Sequence, residues 1–146
     1  QSSNVPVAEG ADLRGADLEG ANLRGAKNLP QWFINVCSRD LLFVFQHLKK
    51  ELPALREKLV KGEIEGTQYE GGCVCLIGTL SKIKKKDVRK EEMDEVCGIP
   101  FYEKGIHNYG EQWFWNIRKG DTPENNYIAK YALELIDMVI KNNRVE

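Results

Sequence analysis

Apolar residues recur along most of the chain at helical spacing, and residues 71–83 form the most apolar run near its middle. Within this run the apolar positions follow at intervals of three and four, which places them on one helix face. They are Cys73, Leu76, Ile77, Leu80 and Ile83. We therefore predict a buried central helix. A fully buried strand over residues 73–80 is the alternative, because a short apolar run fits both structures.

Two helices are predicted before this segment. Ser38 is expected to N-cap the first. Its apolar stripe is formed by Leu41, Val44, Phe45, Leu48 and Leu52. Pro53 either begins the second helix in its first turn or kinks one continuous helix. Gly62 is expected to end the second helix.

A final helix is predicted from Thr122, as N-cap, to about residue 141, with Pro123 and Glu124 in its first turn. Its buried side is expected to hold Tyr127, Ile128, Tyr131, Leu135, Met138 and Val139. Before it, residues 111–117 contain Trp113, Phe114 and Trp115, the densest aromatic cluster in the chain.

Residues 11–25 consist of three tandem five-residue units: Ala-Asp-Leu-Arg-Gly, Ala-Asp-Leu-Glu-Gly and Ala-Asn-Leu-Arg-Gly. A looser fourth unit follows in residues 26–30. Alanine and leucine two positions apart point to the same side of an extended chain, and the glycine permits a corner. Because a period of five fits neither a straight strand nor a helix, the chain must turn once per unit.

These units resemble the pentapeptide-repeat family, whose pattern is Ala-(Asp/Asn)-Leu-X-X. The resemblance implies a right-handed square β-helix with four repeats per coil, in which Leu13, Leu18, Leu23 and the alanines point inward. Four units make about one coil, whereas stacked architectures bury each face against neighbours. Either further coils precede residue 11, or this coil caps the globular part.

The expected fold is therefore mainly α, a compact helical domain preceded by about one coil of β-helix. Residues 1–10 form an N-terminal extension in which Gln1-Ser2 resembles an expression-tag scar. The coil spans residues 11–30 and the helical domain residues 31–146. Hydrophobic residues make up 42% and charged residues 29% of the 146-residue chain, as in ordinary globular proteins.

Charge and hydropathy narrow the possible partners. The net charge is −1, which gives no general attraction to nucleic acid or anionic membranes. Residues 82–90 carry six basic residues, but acidic residues follow at once, so a solvated helix face is preferred. No apolar run has the length of a membrane span, and no basic segment followed by an apolar one marks a secretion signal. We expect a cytoplasmic protein.

The four cysteines suggest neither a disulfide scaffold nor a metal site. Zinc sites use paired Cys or His ligands at characteristic spacings, whereas here Cys73 and Cys75 are two apart and Cys37 and Cys97 are isolated. We expect free thiols, no metal and no cofactor.

Residues 118–126 hold the strongest candidate for a ligand site. Arg118, Asp121, Thr122 and Asn125 surround a predicted helix start beside two tryptophans, and a helix N-terminus can bind an anion. His107 is the nearest candidate base. A well-capped helix start explains the same residues and is preferred.

The sequence favours a non-enzymatic protein-interaction or scaffolding module, with a protein partner or self-association through the coil end. One alternative comes from the resemblance: some pentapeptide-repeat proteins mimic duplex DNA and protect topoisomerases. Residues 1–30 carry a net charge of only −1, which is poor mimicry. The other alternative is a small-ligand or hydrolytic site at residues 118–126 with His107.

Overall fold

A computed structural model describes residues 3–6, 21–22, 29–66, 76–85 and 109–145, and these residues are mainly helical. The elements are β1 (Ser3–Pro6), β2 (Ala21–Asn22), α1 (Gln31–His47), a 3-10 helix (Lys49–Glu51), α2 (Leu52–Val60), α3 (Leu76–Lys84), α4 (Tyr109–Trp115) and α5 (Tyr127–Val145). None of the helices in the described part is long and apolar enough to cross a membrane.

The strands β1 and β2 pair in parallel. Ser3 lies opposite Ala21 and Pro6 opposite Asn22, with an irregular register between the two pairs. The inward-pointing leucines predicted for the coil, Leu13, Leu18 and Leu23, lie outside the described residues.

Helix α1 begins eight residues earlier than predicted, at Gln31, with Pro30 at the N-cap position. The prediction that Ser38 caps it is wrong, because the buried stripe continues upstream through Phe33 and Cys37. Ser38 lies mid-helix, and its hydroxyl shares a 2.7 Å hydrogen bond with the hydroxyl of Tyr131. A serine can therefore mark a helix contact as well as a helix start.

The alternatives left open at Pro53 and in the central segment are decided by the structure. Pro53 stands in the first turn of α2, so it begins a helix after the 3-10 turn. Gly62 follows that helix with a φ of 73°, as expected for a residue that ends it.

Residues 76–84 are helical, which confirms the central helix over the strand for this part. Cys73 and Cys75 lie outside the described residues.

One apolar cluster joins the helices α1 to α5. Trp113 of α4 is at its centre: its ring centroid lies 6.2 Å from that of Phe33 and 5.3 Å from that of Tyr131. Its indole N–H donates to the carbonyl of Ile128 at 2.9 Å. A fully buried tryptophan thus has its one donor satisfied.

Two buried carboxylates satisfy backbone groups at helix starts. Asp40 of α1 is 3% exposed, and its Oδ2 accepts the N–H of Tyr109, the first residue of α4, at 3.0 Å. Glu111 of α4 is 2% exposed, and its Oε1 accepts the N–H of Leu76, the first residue of α3, at 3.2 Å. The first N–H groups of a helix have no partner within it and carry partial positive charge. The two acids therefore join α1 to α4 and α4 to α3.

Helix α5 differs from its prediction at both ends, since it begins at Tyr127 and continues to Val145. Ile128, Leu135 and Val139 are buried as expected, but Tyr127 is 40% and Met138 50% exposed. The buried face is centred elsewhere because its small and apolar members Ala129, Ala132 and Ile136 are also fully buried. These three were missing from the predicted stripe.

The Asp40 cap can be tested by substitution. Asp40→Ala should lower the free energy of unfolding by about 1–3 kcal/mol, because the N–H of Tyr109 and the guanidinium of Arg39 both lose their acceptor. Asp40→Asn keeps a side-chain oxygen and should lose clearly less. Urea unfolding monitored by circular dichroism measures both. Equal losses in the two variants would show that the acceptor oxygen is not what matters.

Candidate functional site

The loop from residue 118 to 126, between α4 and α5, is braced against the turn that follows α2. The N–H of Gly66 donates to the carbonyl of Ile117 at 2.8 Å, and that of Gly120 to the carbonyl of Gly62 at 2.8 Å. The N–H of Lys119 donates to the carboxylate of Glu65 at 3.1 Å. These three bonds hold the two loops edge to edge.

Asp121 organises this loop from within. Its side chain is buried, and Oδ2 accepts the backbone N–H of Arg118 at 2.9 Å and the side-chain amide of Asn126 at 3.2 Å. Its own N–H donates to the carbonyl of Arg118 at 2.8 Å, which closes a tight turn. These bonds of Asp121 therefore serve the conformation of the loop.

The true N-cap of α5 is Asn126. Its Oδ1 accepts the N–H of Ala129, the third helical residue, at 2.8 Å, which is the geometry of a capping side chain. The Thr122 cap is wrong. The chain does make one turn there, since the N–H of Asn126 donates to the carbonyl of Thr122 at 2.9 Å. That turn is not continued into the helix.

The remaining predicted site residues take structural partners. Asn125 accepts the N–H of Thr122 through Oδ1 at 2.8 Å and donates from Nδ2 to the carbonyl of Gly120 at 3.2 Å. The guanidinium of Arg118 donates to the carbonyl of Trp115, the last residue of α4, at 3.2 Å. The structure thus brings four of the predicted residues into one loop. His107 lies outside the described residues, and a ligand-binding role for this set stays a prediction.

Two grooves are lined in part by α5, and one of them borders this loop. The first, of about 700 Å³, includes Asn125, Tyr127, Lys130 and Leu133 in its lining. Partial burial, helped by the nearby Tyr131 and Glu134, raises the pKa of the Tyr127 hydroxyl. Arg118, Asp121 and Thr122 do not line this groove, so the predicted cluster and the groove are neighbours that share only Asn125.

The second groove, of about 580 Å³, lies between α2 and α5 and is lined by Pro53, Arg56, Asp137, Ile140 and Lys141. Arg56 donates to both carboxylate oxygens of Asp137, at 2.6 and 3.3 Å. This hydrogen-bonded pair raises the pKa of the Arg56 guanidinium. Both grooves include Asp137.

Two features of the described residues concern metal binding and thiol chemistry. Within them no group of three or more His, Cys, Asp or Glu side chains could hold a metal ion. Cys37 is a free thiol, which confirms that prediction for this cysteine. Burial, together with the charge of Asp40, raises the pKa of the Cys37 thiol far above its ordinary value. A buried thiol that stays protonated is a poor nucleophile.

The comparisons with known proteins identify one segment. Residues 8–27 match the family model for pentapeptide repeats (8 copies). The match confirms the resemblance derived from the tandem units, and it starts three residues before the first of them. The helical region after the repeats has no family match. No curated protein and no solved structure matches the chain.

The position of the α5 cap is open to test. Asn126→Ala should cost about 1–2 kcal/mol of unfolding free energy, because the N–H of Ala129 loses its acceptor and Asp121 loses a donor. Thr122→Ala should cost little, since only backbone groups of Thr122 take part in the turn. Chemical denaturation of both variants decides between the caps. A larger loss for Thr122→Ala would restore Thr122 as the cap.

The close approach of Gly66 to the backbone of Phe114 predicts that a side chain at position 66 strongly lowers stability. A Cβ there would lie 1.7 Å from the carbonyl oxygen of Phe114, so Gly66→Ala should cost at least about 3 kcal/mol or prevent folding. Gly120→Ala is the control, because its Cβ would meet no atom within 4 Å although its φ is 96°. It should cost only about 1–2 kcal/mol of backbone strain. Similar melting temperatures for the two variants would contradict the close approach.

Proposed function

We propose that this chain is a non-enzymatic protein-interaction or scaffolding module, in which the pentapeptide-repeat coil meets a protein partner or a second coil. The match of residues 8–27 to pentapeptide repeats carries the proposal, because such repeats generally act as protein-interaction modules.

The strand pair supports a β-helical coil. Parallel strands require a crossover between them, and the paired residues Ser3 and Ala21 are 18 positions apart. One coil of four five-residue repeats takes about 20 residues, so a parallel partner 16 to 18 positions upstream lies about one turn away, and β1 itself precedes the matched residues 8–27.

The chemistry of the coil favours a protein over a nucleic acid or its mimicry. Residues 1–30 contain four acidic and three basic side chains, so a strong electrostatic surface is not available. A short coil instead offers strand edges and a flat end, which another chain can extend by backbone hydrogen bonds.

Two features of the helical region fit an interaction module. The polar side chains of the 118–126 loop hold one another and the turn after α2. Large apolar side chains remain exposed on α1 and α5, among them Trp32, Phe43 and Met138. Exposed apolar groups are typical of surfaces that contact other proteins.

The proposal is tested with Leu18→Asp, which places a charge where the repeat pattern predicts the coil interior. Asn22→Asp is the matched control: it adds the same charge at the second position of a repeat, where the chain already uses aspartate in two units. Partners recovered quantitatively with the wild type are purified, and their affinities are measured by calorimetry.

We expect Asn22→Asp to bind like the wild type and Leu18→Asp to lose at least about tenfold in affinity. The melting of α1–α5, followed by circular dichroism, should be the same in the three proteins. Unchanged binding by Leu18→Asp, or a hydrolytic activity that survives it, would overturn the assignment of function to the coil.

A further inference from the structure

The outer face of α2 and α5 carries a continuous pattern of charged and apolar residues. On α5, Lys130, Leu133, Asp137 and Ile140 follow at intervals of three and four, so they share one stripe. Lys130 is exposed, and the other three are partly exposed. The two grooves meet on this stripe at Asp137. It therefore forms a single surface along the helix.

Helix α2 contributes a second, parallel stripe. Pro53, Arg56 and Val60 are exposed and lie three and four residues apart, and 42% of the surface of Val60 is accessible. The bond from Arg56 to Asp137 joins this stripe to that of α5. The result is a two-helix face with apolar residues on both helices and an ion pair between them.

We propose that this α2–α5 face is the contact between two copies of the chain, with their α5 helices antiparallel about a two-fold axis near Leu133 and Glu134. This inference does not depend on the repeat coil. Two such faces would form four packed helices, a common arrangement for helix pairs.

The charge pattern of α5 is complementary to itself in this arrangement. With the axis between residues 133 and 134, Lys130 of one copy lies opposite Asp137 of the other, and the symmetry makes this pair twice. A parallel arrangement in register would instead place Lys130 opposite Lys130, and like charges repel.

The existing bond from Arg56 does not prevent the pairing. A carboxylate can accept about four hydrogen bonds, and each oxygen of Asp137 has one described donor in Arg56. The second copy would add the ammonium group of Lys130.

The face also carries both signs of charge. Its basic residues are Arg56, Lys130 and Lys141, and its acidic residues are Glu124, Glu134 and Asp137. A strongly acidic or basic partner would therefore gain little from it, whereas an inverted copy matches it.

Charge-reversed variants test this geometry. In Lys130→Glu the two-fold axis brings the introduced carboxylate against Asp137 of the other copy, and in Asp137→Lys it brings the introduced ammonium group against Lys130. Each variant should therefore dimerise at least about tenfold more weakly than the wild type. Sedimentation velocity over protein concentrations up to about 1 mM measures the dimerisation constants.

Mixing the two variants gives a dimer in which both symmetric contacts join opposite charges. At one contact the native Lys130 of the Asp137→Lys copy meets the native Asp137 of the Lys130→Glu copy. At the other contact the introduced carboxylate meets the introduced ammonium group, so the signs are exchanged and the attraction is kept. An equimolar mixture should therefore form a dimer at concentrations where each variant alone is monomeric.

Lys50→Glu is the control, an exposed substitution on the 3-10 helix with the same change in net charge as Lys130→Glu. It should dimerise like the wild type. Unchanged thermal melting of α1–α5 in each variant shows that the fold is kept.

Three results would overturn the proposal: a wild type that is monomeric throughout this range, a dimer that both substitutions leave intact, or a mixture that stays monomeric. Because the repeat variant Leu18→Asp should leave this dimer unchanged, failure here and failure of the coil to bind partners are separate outcomes.

Discussion

The arrangement of the helices depends on how the first N–H groups of two short helices are satisfied in the interior. Asp40 and Glu111 are nearly inaccessible to solvent, and each accepts an N–H from the start of another helix. A buried carboxylate without such a partner would be costly, and so would an orphaned helix N–H. Each bond therefore satisfies an acid and a helix start at once, and the apolar cluster that contains Trp113 joins the same helices.

The sequence pattern predicted the helices better than their starts. Apolar spacing identified Leu41, Val44 and Phe45 on the buried side of α1, and Pro53 and Gly62 marked the bounds of α2, because these signals are local. Ser38 and Thr122 misled for a common reason: a capping residue type was present, but the helix started elsewhere. The buried stripe of α1 continues upstream through Phe33 and Cys37, and the side chain of Asn126 supplies the cap of α5.

The structure of the candidate loop was also only partly predictable from the sequence. Its residues were expected to lie together because they are adjacent in sequence, and they do. Their orientation could not be predicted, since it depends on the turn after α2, more than fifty residues upstream.

Asp40 and Glu111 were missed because an acid in an amphipathic helix is ordinarily solvated. Only the packed structure shows the N–H that each one meets. The repeats, by contrast, were recognisable from sequence because their period is an exact tandem copy.

The bond between Glu111 and the first N–H of α3 has a consequence for the way the protein opens. Docking of α3 relies on α4, which itself relies on α1 through Asp40, so the three helices form an ordered series. Release of α4 would remove the acceptor of α3, whereas release of α3 would leave the bond between Asp40 and α4 in place. Local opening should therefore be hierarchical, with α3 the least protected of the three against solvent exchange and α1 the last to open.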